Sequence, residues 1–223
     1  IDTGYKMSKN IAVILSGCGV FDGAEIHESV CTFLALDKAG ANYSVFAPDM
    51  DQHHVINHIT GEEMDETRNV MVEAARISRG AINDLADFDA DDFDAVILPG
   101  GFGAAKNLSS FAFDGAEASV NDDVKAALQA MKREGKPIGA LCISPAILAS
   151  VFGDVLVTVG ADEATIGEIE ACGARHQVTG NDEIVIDAAN KIVTSPCYML
   201  DTSVKHIAIG AENTVNALLD LCA

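Results

Sequence analysis

One cysteine stands where a strand is expected to turn sharply into a helix. Cys142 follows the apolar run 138–141 and precedes Ser144-Pro145, a pair that can begin a helix. A sulfur held at a helix N-terminus lies near the positive end of the helix dipole, which favours thiolate over thiol. The thiolate is the nucleophilic form, so this turn predicts covalent catalysis by Cys142. The alternative is a buried, inert cysteine, which is common in proteins.

A glycine-rich turn is expected to supply an oxyanion hole for this nucleophile. The run 98–103, Leu-Pro-Gly-Gly-Phe-Gly, follows an apolar strand, and glycine lets a backbone turn present N–H groups at close range. The N–H groups of Gly101 and Ile143 would then hold the negative charge that develops on a substrate oxygen. Alone, a turn of this composition can also do no more than reverse the chain.

Two acids at the start of the first predicted helix are candidates for proton transfer. Glu25 and Glu28 are three residues apart and therefore share a helix face. A protonated carboxyl on this face can hydrogen-bond an ionised Cys142 and shuttle protons during the reaction. The alternative is that both acids only stabilise the first turn of the helix, where negative charge is favourable.

Five further side chains near the same rim are expected to line a substrate pocket: Cys18, His27, His58, Asn107 and Cys197. Cys18 and Cys197 each follow a predicted strand and are either resolving thiols or pocket walls, the second being favoured. His58 either contacts substrate or orders its own loop. The functional role of each depends on how the strands bring these residues together.

Strands and helices alternate along the chain, which predicts an α/β fold with a doubly wound, mostly parallel sheet, helices on both faces and a small hairpin. The predicted strands are 11–16, 43–47, 95–98, 138–141, 155–159 and the hairpin 184–187 with 191–194. The predicted helices are 25–39, 62–78, 124–133, a short one from after Cys142 to about 150, 164–171 and 203–222. No linker or repeat is found, so residues 1–223 are assigned to a single domain. Ligands of such sheets bind at the carboxyl ends of the strands, where Cys142 lies.

Composition narrows the class of protein. The 223 residues include 34 acids and 14 lysines and arginines, a formal charge of −20 that repels nucleic acid and anionic membranes. The chain has no run of 18 apolar residues, so no membrane-spanning helix is expected. Residues 1–10 lack the apolar core of a secretory signal. Met7 is a candidate natural start, with residues 1–6 an addition from expression. The six cysteines form no CxxC pair, which predicts reduced thiols in the cytoplasm and no zinc site.

The motifs resemble the ThiJ/PfpI superfamily, which shares its fold with class I glutamine amidotransferases, and within it the ElbB-type group. The matching stretches are 13–20, 25–28, 57–62, 66–70 and 98–108, and the resemblance spans nearly all of residues 8–222. It implies a flavodoxin-like sandwich, a nucleophilic cysteine at position 142 and a carboxylate hydrogen-bonded to that sulfur. Alignment with the superfamily's acidic segment gives this role to Glu28, with Glu25 as the fallback.

The ElbB-type group includes proteins known as glyoxalases and proteins of isoprenoid biosynthesis. The resemblance therefore implies a glutathione-independent glyoxalase, a lyase that converts a small aldehyde substrate without metal or organic cofactor, and a homodimer. Two alternatives stay open: a redox-sensing or protective protein with little turnover, and an accessory protein of isoprenoid supply. Glutamine hydrolysis is not expected, because Ile143 stands where many members have histidine and the stretch 194–199 lacks the histidine of a glutaminase triad.

Overall fold

The computed structural model describes residues 8–222, in which a central sheet is covered by helices on both faces. The strands in this part of the chain are β1 (Asn10–Ile14), β2 (Asn42–Ala47), β3 (Asn83–Asp84), β4 (Ala95–Leu98), β5 (Ile138–Leu141), β6 (Leu156–Val157), β7 (Arg175–His176), β8 (Val185–Asp187) and β9 (Ile192–Ser195). The helices are α1 (Ile26–Lys38), α2 (Val70–Ile77), α3 (Phe102–Lys106), α4 (Phe111–Asp114), α5 (Asp122–Arg133), α6 (Pro145–Phe152), α7 (Glu163–Ala171) and α8 (Val204–Asp220).

The main sheet has seven strands in the order β3-β2-β1-β4-β5-β9-β8. All neighbours run parallel except β8 and β9, which form the antiparallel hairpin. The predicted α/β class, the mostly parallel sheet and the hairpin are therefore confirmed. The central strands are continuous apolar runs because helices bury both of their faces.

Alternate residues of β1 enter two different hydrophobic cores. Ala12 and Ile14 pack on the side of α3, α5, α6 and α7, whereas Ile11 and Val13 pack on the side of α1, α2 and α8. This alternation is the period of two that a strand imposes on its side chains. Helices on both faces leave the carboxyl edge of the strands as the place where side chains and turns converge.

The predicted helix 62–78 is wrong in its first half. The helix begins only at Val70, because the Asn69 side chain accepts a hydrogen bond from the Val72 N–H and so caps it. Residues 62–69 instead belong to an irregular loop, 48–69, whose two halves bond to each other through Met64 N–H to Val55 O at 2.8 Å. These tertiary contacts outweigh the helical spacing of the apolar residues.

Smaller differences occur elsewhere. The glycine-rich run does not only turn, because Gly101 precedes helix α3, which was not predicted. The strand predicted at 155–159 is limited to β6 and pairs with β7 in a separate two-stranded parallel sheet. No helix within residues 8–222 is both long enough and apolar enough to span a bilayer. The proposals about Met7 and residues 1–6 lie outside the described residues.

Candidate active site

Cys142 occupies the turn between β5 and α6. Its φ of +59° lies in the left-handed region, where a residue other than glycine is strained; such strain is frequent at active sites. Two bonds hold this turn: the Cys142 N–H donates to Ser195 O at 2.9 Å, and the Ser144 hydroxyl donates to Pro99 O at 2.7 Å. The cysteine is 7% exposed, so little of the residue is open to solvent.

The Glu28 carboxyl lies beside the Cys142 side chain, and its charge raises the pKa of the thiol. Glu28 is fully buried, and its two oxygens accept backbone N–H groups, one from Gly100 at 2.8 Å and one from Tyr198 at 3.3 Å. Three parts of the chain that are distant in sequence therefore fix the carboxyl beside the sulfur. Such a carboxyl can exchange a proton with Cys142 or with a substrate atom attached to it.

Gly100 makes this approach possible. A methyl group added to its Cα would lie 2.3 Å from Cys142 Cβ and 2.8 Å from Glu28 Oε2. Both distances are far below a normal contact, so only glycine fits between the acid and the cysteine. The glycine-rich run thus has a steric function at Gly100 that was not predicted from the sequence, where only Gly101 was singled out.

Burial keeps both protons on the pair at neutral pH. Burial and, to a smaller extent, the nearby Glu25 carboxylate together raise the pKa of Glu28 to about 8. Burial and the Glu28 carboxylate also raise the pKa of the Cys142 thiol, which is opposite to the effect expected from the helix N-terminus alone. The first proton lost near pH 8 belongs to the coupled pair, and the remaining proton is shared between oxygen and sulfur.

Two backbone N–H groups are the candidates for an oxyanion hole. The Gly101 N–H opposes the increase in the pKa of the Cys142 thiol. The Ile143 N–H has no backbone or side-chain acceptor among residues 8–222. One donor belongs to the β4–α3 turn and the other to the β5–α6 turn, next to Cys142 in the chain. This arrangement is suitable for an oxyanion, although the role itself stays a prediction.

Glu25, the fallback for the acid, has a different position. Its Oε2 accepts the Glu28 N–H at 2.7 Å, so Glu25 caps the N-terminus of α1. The cap explains why the two acids could not be separated from sequence: both suit the first helical turn, but only one faces the sulfur. Glu25 influences the site indirectly, since its charge raises the pKa of Glu28.

His27 lies beside the site and pairs with a residue that the sequence did not indicate. Its Nδ1 is 2.7 Å from the Tyr198 hydroxyl. Tyr198 belongs to the short turn after β9, and it is the same residue whose N–H donates to Glu28. No local pattern signals Tyr198, because its partners are about 170 residues away in the chain.

Asn107 anchors a loop, and its polar atoms are all engaged. Its Nδ2 donates to Ser16 O at 2.9 Å and to Asp22 O at 3.0 Å, and its Oδ1 accepts the His53 N–H at 2.9 Å. At 5% exposure it has little surface for a substrate. It joins the turn after β1 to the loop 48–69, so the structure gives no support to its predicted position in the substrate pocket.

Replacing Asn107 by alanine is expected to lower the free energy of unfolding by about 2–3 kcal/mol, because three buried groups lose their partner. The His53 amide should also exchange its hydrogen faster. Urea unfolding and hydrogen exchange measure these effects, with Asn42→Ala, at an exposed asparagine, as the control. An unchanged stability combined with a higher KM would contradict the anchoring role.

His58 also orders the loop 48–69. Its Nε2 accepts the Phe21 N–H at 3.2 Å, and its Nδ1 then donates to Ile56 O at 3.0 Å, which assigns the neutral tautomer. Of the two roles considered for this histidine, the contacts support the ordering of a loop.

The remaining two thiols are separated. Cys197 is 0% exposed and packs in one cluster with Cys31, Leu141 and Cys142, so it is buried beside the nucleophile, and its role as a pocket wall stays a prediction. Cys18 is half-buried, and its pKa is raised by burial and then by Glu73 of α2. Cys18 therefore lies on the α2 side of the sheet edge. Among residues 8–222 no cluster of three His, Cys, Asp or Glu side chains could hold a metal.

This arrangement of strand, cysteine turn and buried acid matches a known family. The family model "DJ-1/PfpI family" matches residues 17–195, which include Glu28, Gly100 and Cys142. The chain belongs to the DJ-1/PfpI family. The predicted resemblance is thereby confirmed at the level of the family.

Relatives of this DJ-1/PfpI protein extend over nearly its whole length. A human protein, "Glutamine amidotransferase-like class 1 domain-containing protein 3, mitochondrial", is 45% identical over 97% of this chain and 84% of its own. The zebrafish (Danio rerio) "ES1 protein, mitochondrial" is 36% identical over 100% of this chain and 89% of its own. A crystal structure of an "isoprenoid biosynthesis protein with amidotransferase-like domain" from Ehrlichia chaffeensis has a TM-score of 0.91 and 35% identity, covering 97% of this chain and 100% of that one.

The predicted cytoplasmic location is wrong for this DJ-1/PfpI protein, because the human and zebrafish relatives are mitochondrial proteins by name. The prediction rested on six cysteines without a disulfide pattern, and all six are indeed free. Free thiols indicate a reducing compartment but do not distinguish one such compartment from another.

Proposed function

We propose that this protein is a glutathione-independent glyoxalase that converts small, uncharged 2-oxoaldehydes to 2-hydroxy acids. The single observation that carries the proposal is the buried Glu28 carboxyl that lies beside Cys142 across Gly100. The reaction needs a nucleophile and, beside it, an acid that can give and take protons at neighbouring carbons. A carboxyl with a pKa of about 8 is suited to both directions of transfer near neutral pH.

The first step joins enzyme and substrate. When the pair has lost one proton, the form with ionised sulfur attacks the aldehyde carbon, and the carbonyl electron pair moves to oxygen. The N–H groups of Gly101 and Ile143 stabilise this oxygen. Glu28 then gives it a proton, which leaves a neutral hemithioacetal and a carboxylate.

The second step moves hydrogen between the two carbons. The Glu28 carboxylate removes the hydrogen of the former aldehyde carbon, and the hydroxyl proton passes to the ketone oxygen through an enediol. Glu28 returns its proton to the second carbon, which gives a thioester of a 2-hydroxy acid. Water hydrolyses the thioester and releases lactate from methylglyoxal. The substrate is oxidised at one carbon and reduced at its neighbour, so no external oxidant is needed.

The charges around the pair support an uncharged substrate rather than glutamine. The strongest influences on the pKa of Glu28 and of Cys142 within residues 8–222 are burial, backbone N–H groups, the other acid and Cys197, with no lysine or arginine among them. The carboxylate of an amino acid substrate beside the pair would therefore meet the charge of Glu25 without a lysine or arginine close to the pair. The turn after β9 also carries Pro196, Cys197 and Tyr198 in place of a histidine base.

The redox-sensor alternative has less support. Rapid oxidation by peroxide requires a thiolate, and burial raises the pKa of Cys142 instead of lowering it. No residue favours a role in isoprenoid supply, which the name of the Ehrlichia relative mentions. Association into a homodimer stays a prediction from the family resemblance, and sedimentation of the purified protein measures it.

Purified protein should convert methylglyoxal to lactate, and Cys142→Ala should reduce the turnover to background. Cys18→Ala is the matched control, because this thiol lies on the α2 side and should leave turnover unchanged. Nuclear magnetic resonance in D₂O would follow the methine hydrogen of lactate. Equal turnover by Cys142→Ala and the wild type, or no turnover by the wild type, would refute the proposal.

A further inference from the structure

Two consecutive residues of α1 bond to the same residue of the turn after β9. His27 bonds to the hydroxyl of Tyr198, and Glu28 accepts the backbone N–H of Tyr198. His27 is exposed, whereas Glu28 is fully buried. The helix therefore contacts the hydroxyl of Tyr198 at the surface and the backbone of Tyr198 in the interior. This pair of contacts is called the Tyr198 clamp below.

The backbone of the turn explains why the Tyr198 N–H is available. Met199 N–H donates to Pro196 O at 2.9 Å and Leu200 N–H donates to Cys197 O at 3.2 Å, so the short 3₁₀ turn does not use the Tyr198 N–H. The preceding residue, Cys197, has a φ of +44°. A left-handed conformation at a residue other than glycine costs about 1–2 kcal/mol and persists only where its surroundings enforce it.

The side-chain half of the clamp has no role in the core. Tyr198 is only partly buried, and its hydroxyl contacts the exposed His27. The centroids of the two rings are 5.8 Å apart. A hydrogen bond at the surface contributes little to stability on its own. The bond between His27 and the Tyr198 hydroxyl lies one residue from Glu28 and holds the turn against the start of α1. It thereby keeps the Tyr198 N–H on the Glu28 oxygen that does not accept from Gly100.

We infer that Tyr198 is a positioning residue of the candidate active site: its hydroxyl, held by His27, fixes the backbone N–H that orients Glu28 toward Cys142. This inference rests on the proposed function, since it adds a residue to the same site. Tyr198 does not touch the reacting atoms and acts only through Glu28. Because a hydrogen bond to the carboxylate favours its ionised form, loosening the clamp makes loss of the shared proton harder.

The test is the pH dependence of Cys142 alkylation by iodoacetamide, measured by peptide mapping in intact Tyr198→Phe protein. The midpoint should move upward by about 0.5 pH unit or more, because the Tyr198 N–H lowers the pKa of Glu28. Tyr43→Phe is the matched control, because Tyr43 stacks on Phe33 with the ring centroids 5.0 Å apart. The midpoint of Cys142 alkylation in this variant should equal that of the wild type.

Variants of His27, at the exposed end of the clamp, separate positioning from general loosening of the fold. His27→Ala should reproduce the shift of Tyr198→Phe, and His27→Asn, which keeps a polar group near Nδ1, should restore most of the wild-type midpoint. Unchanged midpoints in both Tyr198→Phe and His27→Ala would overturn the inference. The alkylation readout needs no substrate, so it tests the clamp even if methylglyoxal is not converted.

Discussion

Glu28→Gln is expected to reduce methylglyoxal turnover by about 10²- to 10⁴-fold, the usual contribution of a proton-transferring group. Glutamine keeps the size of the side chain and an oxygen for the Gly100 N–H, but it can neither give nor accept the proton that moves between the two carbons. The KM should change much less than kcat, because the lost function is proton transfer and not binding. Steady-state kinetics at pH 8 measures both constants.

The control for this variant is Glu168→Gln, at a carboxylate that also accepts a backbone N–H, that of Ala116 at 2.8 Å, but lies on α7. Its turnover should match that of the wild type. The result that would contradict the assignment is a large loss in Glu25→Gln together with normal turnover in Glu28→Gln, since that would give the chemistry to the cap residue of α1.

Gly100→Ala is expected to lower turnover by about 10²-fold or more while the chain still folds. The added methyl group would lie 2.3 Å from Cys142 Cβ and 2.9 Å from Leu141 O, so the β4 and β5 turns must separate. A displacement of about 1 Å at reacting groups is enough for a loss of this size. The accompanying loss of stability should be about 1–3 kcal/mol, as for other overpacked sites.

Gly167→Ala provides the comparison for a glycine without neighbours, since no atom lies within 4 Å of the methyl group that it would add in α7. This variant should keep full turnover and gain up to about 1 kcal/mol in stability, because alanine favours helix. If Gly100→Ala kept wild-type turnover, the close approach of Glu28 and Cys142 would not matter for the reaction.

Local patterns were sufficient to predict the nucleophile turn. The strand before Cys142, the turn and the helix after it are all encoded within about ten residues, and β5 and α6 occur where expected. The same holds for the β8–β9 hairpin, which has its own turn residues. These features depend on hydrophobic period and turn chemistry, which a single sequence displays directly.

Features that depend on contacts between distant segments could not be predicted in this way. The choice between Glu25 and Glu28 requires the position at which α1 begins, and helix ends are the least certain part of a pattern. The protonation of Cys142 was predicted in the wrong direction, because the helix dipole is a local effect whereas burial and Glu28 are tertiary effects. Tyr198 and Asn107 contribute through bonds to segments that are far away in the chain.

The most direct test of the shared-proton pair is the rate of Cys142 alkylation by iodoacetamide between about pH 5 and 10. Below pH 8 both protons are present and the rate should rise about tenfold per pH unit, then level off above a midpoint near 8, the pKa of Glu28. In Glu28→Gln no carboxyl proton is lost near pH 8 and the thiol ionises alone. Its midpoint should lie above 8, because burial still raises the thiol pKa when the charge of Glu28 is gone. A rate already maximal at pH 5–6, or the same midpoint with and without Glu28, would contradict the coupled pair.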